Sequence, residues 1–332
     1  MVEKKGAVWV IAEQIEDHIQ PVSLQLVGKA RQLAENLGTR VEVILLGKNL
    51  GISSQNLIAS GADCVYEGDS DKLASYNSEL YSDIVVKLVK GHQPEILLIG
   101  STFLGRELAP LIAARLGTGL TAHCIDLVLN DDGILEQIIP AYGGMITIVC
   151  PERRPQMATV TKGIFMDPVL DLGRSGEIHP IDVPESNSLR VQTLEIVREK
   201  SESVSLESAP IIVAGGAGVG DVEGWNEIAQ LANVLNAALG STRPAVDEGW
   251  TELGTMIGQS GKMVTPKLYI GVGLSGELQH MVGIKGAELM IAINNDPKAP
   301  VFDQVDYGIV EDCRAFVPIL VQKIKIIKGI SC

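Results

Sequence analysis

The chain alternates short apolar runs with longer amphipathic runs, and this alternation restricts it to folds built from βα units. Residues 7–13 and 41–47 are short and rich in Val and Ile, as in strands buried on both faces. Between them, residues 22–38 place apolar side chains at helical spacing and end in Gly38, which predicts an amphipathic helix. We predict three further elements in this half: a helix over 79–91, a strand over 95–101 and a helix over 105–117.

The pattern changes twice further along the chain. Residues 135–165 are rich in β-forming residues without an intervening helix, and residues 173–208 lose the helical period and collect Pro, Ser and Glu, as at a domain boundary. A second βα series then begins, with a strand, glycine turn and helix over 210–240, strands over 267–273 and 288–294, and a helix over 312–329 interrupted or kinked at Pro318.

The predicted fold is therefore α/β with two domains, each a mostly parallel sheet flanked by helices. We place the N-terminal α/β domain at residues 1–190, a linker or hinge at 191–208 and the C-terminal domain at 209–332.

Charge and hydropathy exclude several classes of partner. The net charge of −14 among 332 residues would repel a phosphate backbone, so we expect no nucleic acid partner. No apolar stretch approaches the roughly 20 residues that span a bilayer, and the first residues lack the features of a signal peptide. We therefore predict a cytoplasmic protein without membrane insertion.

The five cysteines give no indication of a metal site. They lie far apart and form no CxxC pair, which excludes an iron–sulfur cluster or a zinc ribbon of the usual spacing. We expect most of them to be small buried apolar residues, with Cys332 simply terminal, and we predict no metal ligands.

A glycine-rich turn, GGAGVG at 215–220, follows a predicted strand and precedes a predicted helix. The free backbone N–H groups of such a turn can receive an anion. Asp221 stands where the dinucleotide-binding fingerprint requires glycine, and the acidic ribose ligand expected about 20 residues later is missing. NAD bound in the usual Rossmann manner is therefore disfavoured, and a tight turn without a ligand stays open.

The stretch GQSGK at 258–262 resembles the end of a Walker A loop but cannot function as one. Met256 replaces its first glycine, and Met263 replaces the hydroxyl residue that binds magnesium. What remains is the hydroxyl of Ser260 between glycines, which could donate a hydrogen bond to a planar ligand. A surface turn is the alternative.

A third glycine turn, GVGLSGELQH at 271–280, contains Ser275 as either an N-cap or a phosphate ligand, and His280 as either a structural residue or a ligand. Arg243, expected at the end of a strand and held by the next proline, forms either a surface ion pair or a contact with an anionic or aromatic ligand. Because ligands of doubly wound sheets bind at the carboxyl ends of strands, the three turns together predict a nucleotide-sized ligand near Arg243, Ser260, Ser275 and His280.

The order and spacing of several blocks closely resemble the alpha subunit of electron-transfer flavoproteins. The blocks are GGAG (215–218), STRPAVDEGW (241–250), GQSGK (258–262), LYIGVGLSGELQH (268–280) and AINNDPKAPVFDQVDYGIVED (292–312). The resemblance covers nearly the whole chain. It implies FAD bound by a Rossmann-like C-terminal domain, a heterodimer in which the N-terminal domain packs on a beta subunit, and pivoting of the FAD domain about the linker.

The resemblance also implies roles for matching residues. Arg243 would lie against the isoalloxazine ring, Ser260 would donate to flavin N5, and a protonated His280 would face flavin O2. The remaining cofactor-binding residues implied are Thr242, Gln259 and Asn294 at the ring edge or ribityl chain, Ser275 and Gln279 near the phosphates, Asp312 at the adenosine end, and Gly261, Gly273 and Gly276 in the turns. No catalytic acid or base is implied, so oxidoreductase activity would belong to the whole complex.

Two positions depart from the family pattern. Ala217 stands where many members carry arginine in the first glycine turn, which removes one possible contact. Ser260 replaces the commoner threonine and keeps the hydroxyl.

Two N-terminal motifs, TGLTAHCIDL (118–127) and CPERRPQMATVTKG (150–163), resemble the versions found in anaerobic bacteria and archaea. Some of those proteins bifurcate electrons from NADH to a low-potential ferredoxin and a dehydrogenase. The resemblance thus implies an acyl-CoA or other dehydrogenase as partner, with ferredoxin and NADH added if the complex bifurcates. The second flavin of a bifurcating complex would sit on the beta subunit.

Two other classes of function stay open at this point. A nucleotide-binding enzyme of the deoxyhypusine synthase or sirtuin-like sort would need a catalytic residue beside the ligand ring, and only Lys262 or His280 could serve. A non-redox scaffold would keep FAD purely as a structural ligand.

Overall fold

The computed structural model describes residues 6–15, 18–141, 144–184, 190–191, 193–197, 206–207 and 209–329. The chain divides into two compact units, residues 1–197 and 198–332. Most of the predicted linker over 191–208 lies outside the described residues, as does Cys332. None of the described helices is both long and apolar enough to cross a membrane.

The first unit contains most of the strands. In chain order they are β1 Val8–Ala12, β2 Gln14–Ile15, β3 His18–Ile19, β4 Val41–Gly47, β5 Cys64–Asp69, β6 Ile96–Gly100, β7 Leu120–Cys124, β8 Asp126–Leu129, β9 Leu135–Ala141, β10 Gly144–Val149, β11 Gln156–Val160 and β12 Glu177–Pro180. Its α-helices are α1 Pro21–Leu37, α2 Ser53–Ala59, α3 Ser78–His92 and α4 Phe103–Leu116.

Seven of these strands form one sheet in the order β12-β5-β4-β1-β6-β11-β7, and all six neighbouring pairs are parallel. Alternate residues of β1 enter two different apolar clusters, Val8 and Val10 in one and Trp9 and Ile11 in the other. Because successive side chains of a strand point to opposite faces, this sheet is buried on both faces, as the apolar runs predict. A separate antiparallel sheet, β10-β9-β8, accounts for the β-rich stretch before β11.

Helix α1 shows how local sequence determines an element. Pro21 occupies its first position, where the missing N–H has no intrahelical partner to lose. Leu26, Ala30 and Leu33 form its buried face, and Gly38 ends it in the left-handed conformation at φ +65°. The predicted helix over 22–38 is thus confirmed to within one residue.

The structure corrects one expectation about the stretch 173–208. Residues Glu177–Pro180 form β12, which pairs in parallel with β5 at the edge of the large sheet. All four residues of β12 are exposed, so this strand lacks the apolar pattern of a buried one. Helix α2 and strand β5 were also absent from the prediction, because α2 has only seven residues and shows no clear period.

The second unit contains the remaining regular elements. Its strands are β13 Ile211–Gly215, β14 Ala238–Ser241, β15 Leu268–Val272, β16 Met290–Asn294 and β17 Tyr307–Val310. Its α-helices are α5 Val222–Leu235, α6 Arg243–Asp247, α7 Leu278–Met281 and α8 Cys313–Lys328.

These five strands form a fully parallel sheet in the order β14-β13-β15-β16-β17. Its apolar side chains alternate between two clusters, with Ile212 in one and Val213 in the other. The two-domain α/β prediction is confirmed by this second parallel sheet with its flanking helices. Pro318 lies inside α8, but the helix continues past it, so the expected interruption does not occur.

Candidate cofactor-binding site

A cavity of about 510 Å³ lies at the carboxyl ends of the strands of the second sheet. Its lining residues come from the loops that follow β13, β14, β15 and β16 and from the turn at 258–260. The chain continues from β13 to β14 on one side and returns to β15 on the other side of β13. Open α/β sheets bind ligands at such a switch point, and the volume is in the range of small-molecule sites.

Glycines allow two loops of this cavity to meet backbone against backbone. A Cβ atom on Gly218 would lie 2.7 Å from the carbonyl oxygen of Gly273, which has φ +61°. A Cβ atom on Gly276, at φ +88°, would lie 2.4 Å from the backbone nitrogen of Val301. Side chains cannot occupy such spaces, so glycine here is required to form the walls of the cavity.

The N-terminus of α5, where the first glycine turn predicts an anion, already holds a carboxylate of the chain itself. Asp221 accepts a hydrogen bond from the backbone N–H of Gly224 at 3.0 Å and forms an ion pair with Arg314. Hydrogen bonding from Arg314 lowers the pKa of Asp221 below its usual value, so it remains charged at neutral pH. The N–H of Gly224 at this helix end is therefore already occupied by a side chain of the chain itself, while Ala217 and Gly218 of the same turn line the cavity.

Thr242 and Arg243 follow β14 and line the cavity side by side. The Thr242 hydroxyl is buried and has no hydrogen-bond partner among the residues that the structure describes. Arg243 does not end a strand as predicted. It begins the short helix α6, its side chain is 71% exposed, and its Nε lies 3.5 Å from Asp247 Oδ2 within the same helix.

The turn at 258–262 contributes only part of its predicted residues. Gly258 and Ser260 line the cavity, whereas Gln259 and Gly261 do not. The backbone N–H of Gln259 donates to the carbonyl oxygen of Gln279 at 2.7 Å, which fixes the turn against α7. Gly261 packs where a Cβ atom would lie 2.3 Å from the carbonyl oxygen of Met256. Both residues therefore support the turn that presents Ser260.

His280 lines the cavity but differs from the protonated residue that we expected. Its Nδ1 lies 3.0 Å from the carbonyl oxygen of Ile257, which can only accept, so Nδ1 carries the proton. Its Nε2 lies 2.6 Å from the hydroxyl of Tyr269 and accepts from it. Burial lowers the pKa of His280 to about 4, so the ring is neutral at pH 7. The structure thus differs from the expectation of a charged His280, because burial opposes the charged form of the ring.

The other predicted residues divide into two groups. Ser275, Gln279 and Asn294 line the cavity with Gly273 and Gly276. Ser275 is not the N-cap of α7, because that position belongs to Glu277. Asp312 lies outside the lining and caps α8, where its Oδ1 accepts from the backbone N–H of Arg314 at 2.9 Å.

Residues 8–186 match the electron transfer flavoprotein domain, and residues 205–285 match the electron transfer flavoprotein FAD-binding domain. The chain is 43% identical to the electron transfer flavoprotein subunit alpha of Thermoanaerobacterium thermosaccharolyticum, over 97% of this chain and 98% of that protein. The chain belongs to the electron transfer flavoprotein alpha-subunit family. It is also 42% identical to Protein FixB of Clostridium saccharobutylicum over 98% of both chains, and 40% identical to the electron transfer flavoprotein subunit alpha of Megasphaera elsdenii over 100% of this chain and 99% of that protein.

These matches confirm the resemblance seen in the sequence, and FAD is the cofactor of the second domain of this electron transfer flavoprotein chain. The cavity offers groups that fit FAD. The unpartnered Thr242 hydroxyl can donate to one of its many oxygen and nitrogen acceptors. The exposed guanidinium of Arg243 provides a positive charge at the cavity wall for an anionic ligand.

Sequence reasoning missed about half of the lining. The missed residues are Ala217, Gly218, Pro244, Met256, Ile257, Gly258, Leu274, Glu277, Asp296, Ala299 and Pro300. The glycine turns could have indicated Ala217, Gly218 and Gly258, which lie within them. Apolar residues such as Met256 and Ala299 carry no chemical indication in a sequence, because their position depends on how separate loops pack.

Proposed function

We propose that this chain is the FAD-binding subunit of a heterodimeric electron carrier, which shuttles electrons between a donor and a dehydrogenase partner and pairs with a beta subunit. The observation that carries the proposal is the cavity at the switch point of the second sheet. It combines an unpartnered buried hydroxyl, Thr242, with an exposed cation, Arg243, in the segment that matches the family's FAD-binding domain. Alpha subunits of this family pair with beta subunits, which supports the heterodimer.

The proposed roles follow the chemistry of the cavity walls. Arg243 would lie against the isoalloxazine ring, and the hydroxyls of Ser260 and Thr242 would donate hydrogen bonds to the ring or its ribityl chain. Neutral His280 would present its ring to the cavity, with its proton held at Nδ1 by Ile257. Ser275 and Gln279, next to the Gly273 turn, would hold the phosphates.

A further group would support the cofactor without lining the cavity. Gln259 and Gly261 fix the turn of Ser260, and Asp312 fixes the start of α8. Asn294, which does line the cavity, donates to the carbonyl oxygen of Leu274 at 2.9 Å and would hold the ring edge or the ribityl chain. We propose Asp312 as a neighbour of the adenosine end on the resemblance alone.

Bound FAD supplies the redox chemistry, and the chain supplies binding and electrostatics. Arg243 stabilises negative charge beside it, which raises the reduction potential. Because His280 is neutral, Arg243 would supply the positive charge that we had expected from both residues.

We further propose that the complex containing this chain is of the bifurcating type, with NADH as donor and ferredoxin and an acyl-CoA or related dehydrogenase as acceptors. The support is the resemblance of 118–127 and 150–163 to the anaerobic versions. A bifurcating heterodimer would carry a second FAD on its beta subunit.

The enzyme alternative receives little support from the site. Lys262 does not line the cavity, and both ring nitrogens of His280 have protein partners. A catalytic residue beside the ligand ring, as a deoxyhypusine synthase or sirtuin-like mechanism needs, is therefore lacking among the described residues that line this cavity.

The test is an anaerobic spectral titration of the co-purified heterodimer with dithionite and then NADH, with flavin and AMP counted after denaturation. Two FAD molecules per heterodimer and reduction by NADH are expected for the bifurcating carrier. One FAD with AMP and no reduction by NADH would refute bifurcation, but the proposed role as an electron carrier would stand. Flavin that cannot be reversibly reduced would indicate a scaffold, and absence of flavin would refute the proposed function.

A further inference from the structure

The edge of the first sheet brings together three potential metal ligands that lie far apart in the sequence. Strands β5 and β12 are parallel neighbours, with Glu177 opposite Cys64 and His179 opposite Tyr66. Side chains two residues apart on a strand share a face, so Cys64, Glu177 and His179 lie on one face of the sheet. The ligand atoms of these three residues all lie within 4.8 Å of one another.

We propose that Cys64 Sγ, Glu177 Oε2 and His179 Nε2 bind one divalent transition-metal ion of the Zn²⁺ class. Thiolate, imidazole and carboxylate together are typical of zinc sites, in which three protein ligands leave a fourth position for water. Cys64 is 2% exposed and forms the floor of the site, whereas the side chains of Glu177 and His179 are 56% and 53% exposed. The fourth position therefore faces solvent.

The geometry of the two exposed ligands is close to that of a metal site. His179 Nε2 lies 2.9 Å from Glu177 Oε2. Zinc bonds to N and O of about 2.1 Å at a tetrahedral angle separate the two ligand atoms by about 3.4 Å. The pair therefore has to widen by only about half an ångström to admit the ion, which exposed side chains can do by small rotations.

Neighbouring residues already orient these ligands. Arg40 donates to Glu177 Oε1 at 2.9 Å and so leaves Oε2 directed to His179. The ring of Tyr66 stacks on that of His179 with centroids 5.9 Å apart. Such outer contacts fix the orientation of metal ligands in known sites.

Charge also favours a cation at this place. Glu42 lies opposite Cys64 on β4 and accepts hydrogen bonds from Trp9 Nε1 at 2.8 Å and Tyr66 Oη at 3.1 Å. The thiol thus has two carboxylates close by, those of Glu42 and Glu177, while Arg40 is the cation that contacts Glu177. A cavity of about 570 Å³ is lined in part by Tyr66 and His179, so of the three proposed ligands His179 borders it.

The proposal differs from the sequence prediction of no metal ligands, which rested on cysteine spacing. A search for CxxC finds sites formed within one loop. Here the three ligands come from two strands that only the sheet places side by side.

The test is zinc binding by the FAD-loaded heterodimer after removal of metal with a chelator. Equilibrium dialysis with ZnCl₂ measures stoichiometry and affinity, and Co²⁺ difference spectra, with the flavin spectrum subtracted, detect a thiolate bond. We expect one ion bound to this chain and a thiolate-to-cobalt band. Both Cys64→Ser and His179→Gln should abolish the band and weaken zinc binding about a hundredfold or more.

Cys150→Ser is the matched control, because Cys150 is a half-buried cysteine outside the site, and it should leave the band and the affinity unchanged. Circular dichroism and FAD content confirm that each variant is folded. Equal zinc binding by wild type, Cys64→Ser and His179→Gln would overturn the proposal, as would absence of the cobalt band in a folded wild-type protein.

Discussion

At the residue scale, Arg243 differs from the other polar residues of the candidate cofactor site because it alone places a permanent positive charge on the cavity wall among the described lining residues. Acidic residues line the same cavity at Glu277 and Asp296. Asp247, at 3.5 Å, is the one ion-pair partner of the exposed Arg243 guanidinium within the described part of the chain, so the cation remains available to a ligand.

Replacing Arg243 with alanine should lower the reduction potential of the bound flavin. Two unit charges about 5 Å apart interact by about 3 kcal/mol at an effective dielectric of 20, which sets a shift on the order of 0.1 V per electron. A redox titration of the heterodimer measures it. Arg243→Lys should retain much of the potential, and Lys323→Ala, an exposed change on α8, should leave it unchanged. An identical potential for Arg243→Ala and wild type would contradict the role.

Glu13 is a second residue whose environment has a measurable consequence. It follows β1, is 6% exposed, and accepts a hydrogen bond from Thr102 Oγ1 at 2.8 Å. Burial raises the pKa of Glu13 to about 7 and outweighs two smaller effects that lower it, the hydrogen bond from Thr102 and the positive charge of Lys162. The folded state therefore binds a proton that the unfolded chain releases between about pH 4.5 and 7.

The stability of the first unit should therefore fall as the pH rises through this window. Because the pKa of Glu13 is raised in the folded state, its contribution to the free energy of unfolding is complete below pH 4.5 and is lost as the pH rises through 7. The loss is about 3 kcal/mol in total. Urea unfolding of wild type and Glu13→Gln at pH 5 and 8 measures it: the variant should lack this loss. Exposed Glu35→Gln is the control and should follow wild type. If the free energy of unfolding changed equally with pH in wild type and Glu13→Gln, the raised pKa of Glu13 would be refuted.

At the scale of elements, the cofactor site depends on loops that contact each other through glycine. The loop after β15 meets the segment Pro300–Asp303 at Gly276 and meets the first glycine turn at Gly273. Gln304 adds a hydrogen bond from its Nε2 to the carbonyl oxygen of Gly276 at 2.9 Å. These contacts hold Ser275 at the cavity wall, so we expect loop packing and cofactor binding to be coupled.

Gly276→Ala should therefore weaken FAD binding and destabilise the second unit. Its φ of +88° costs a non-glycine residue about 1–3 kcal/mol, and the new Cβ atom would meet the Val301 backbone at 2.4 Å. Flavin retained after dialysis and the thermal midpoint measure the two effects. Gly254→Ala is the matched control, since a Cβ atom there meets nothing within 4 Å. Full flavin retention in Gly276→Ala would show that this loop does not support the cofactor.

At the scale of the whole molecule, the chain carries two parallel sheets, each with its own pair of apolar clusters. Each unit thus has an independent core, as separate domains do. FAD belongs to the second unit, whose sequence matches the FAD-binding domain.

Calorimetry of this chain should therefore resolve two unfolding transitions, and FAD should raise the temperature of only one. A ligand stabilises the folded form that binds it, in proportion to the logarithm of its concentration over its dissociation constant. Leu97→Ala, which removes a fully buried side chain of the first sheet, should lower the other transition. A single transition shifted by both changes would show that the units unfold together.

The sequence by itself determined the α/β class, the position of the longer helices and of the central strands of both parallel sheets, and the family. Apolar periodicity, helix caps such as Gly38 and the order of the glycine blocks are local features that can be recognised in the sequence alone. The glycine turns at strand ends also indicated Arg243, Ser260, Ser275 and His280, which line the cavity. Thr242 was indicated only by the family resemblance.

Only the tertiary structure decided the properties that depend on what surrounds a residue. It made His280 neutral by burying it against Tyr269 and Ile257, since desolvation opposes the charged form. It placed the Asp221 side chain at the N-terminus of α5, and it brought Cys64 close to His179 on two neighbouring strands. Burial and pairing are set by contacts between residues far apart in the chain, and no local pattern of the sequence contains them.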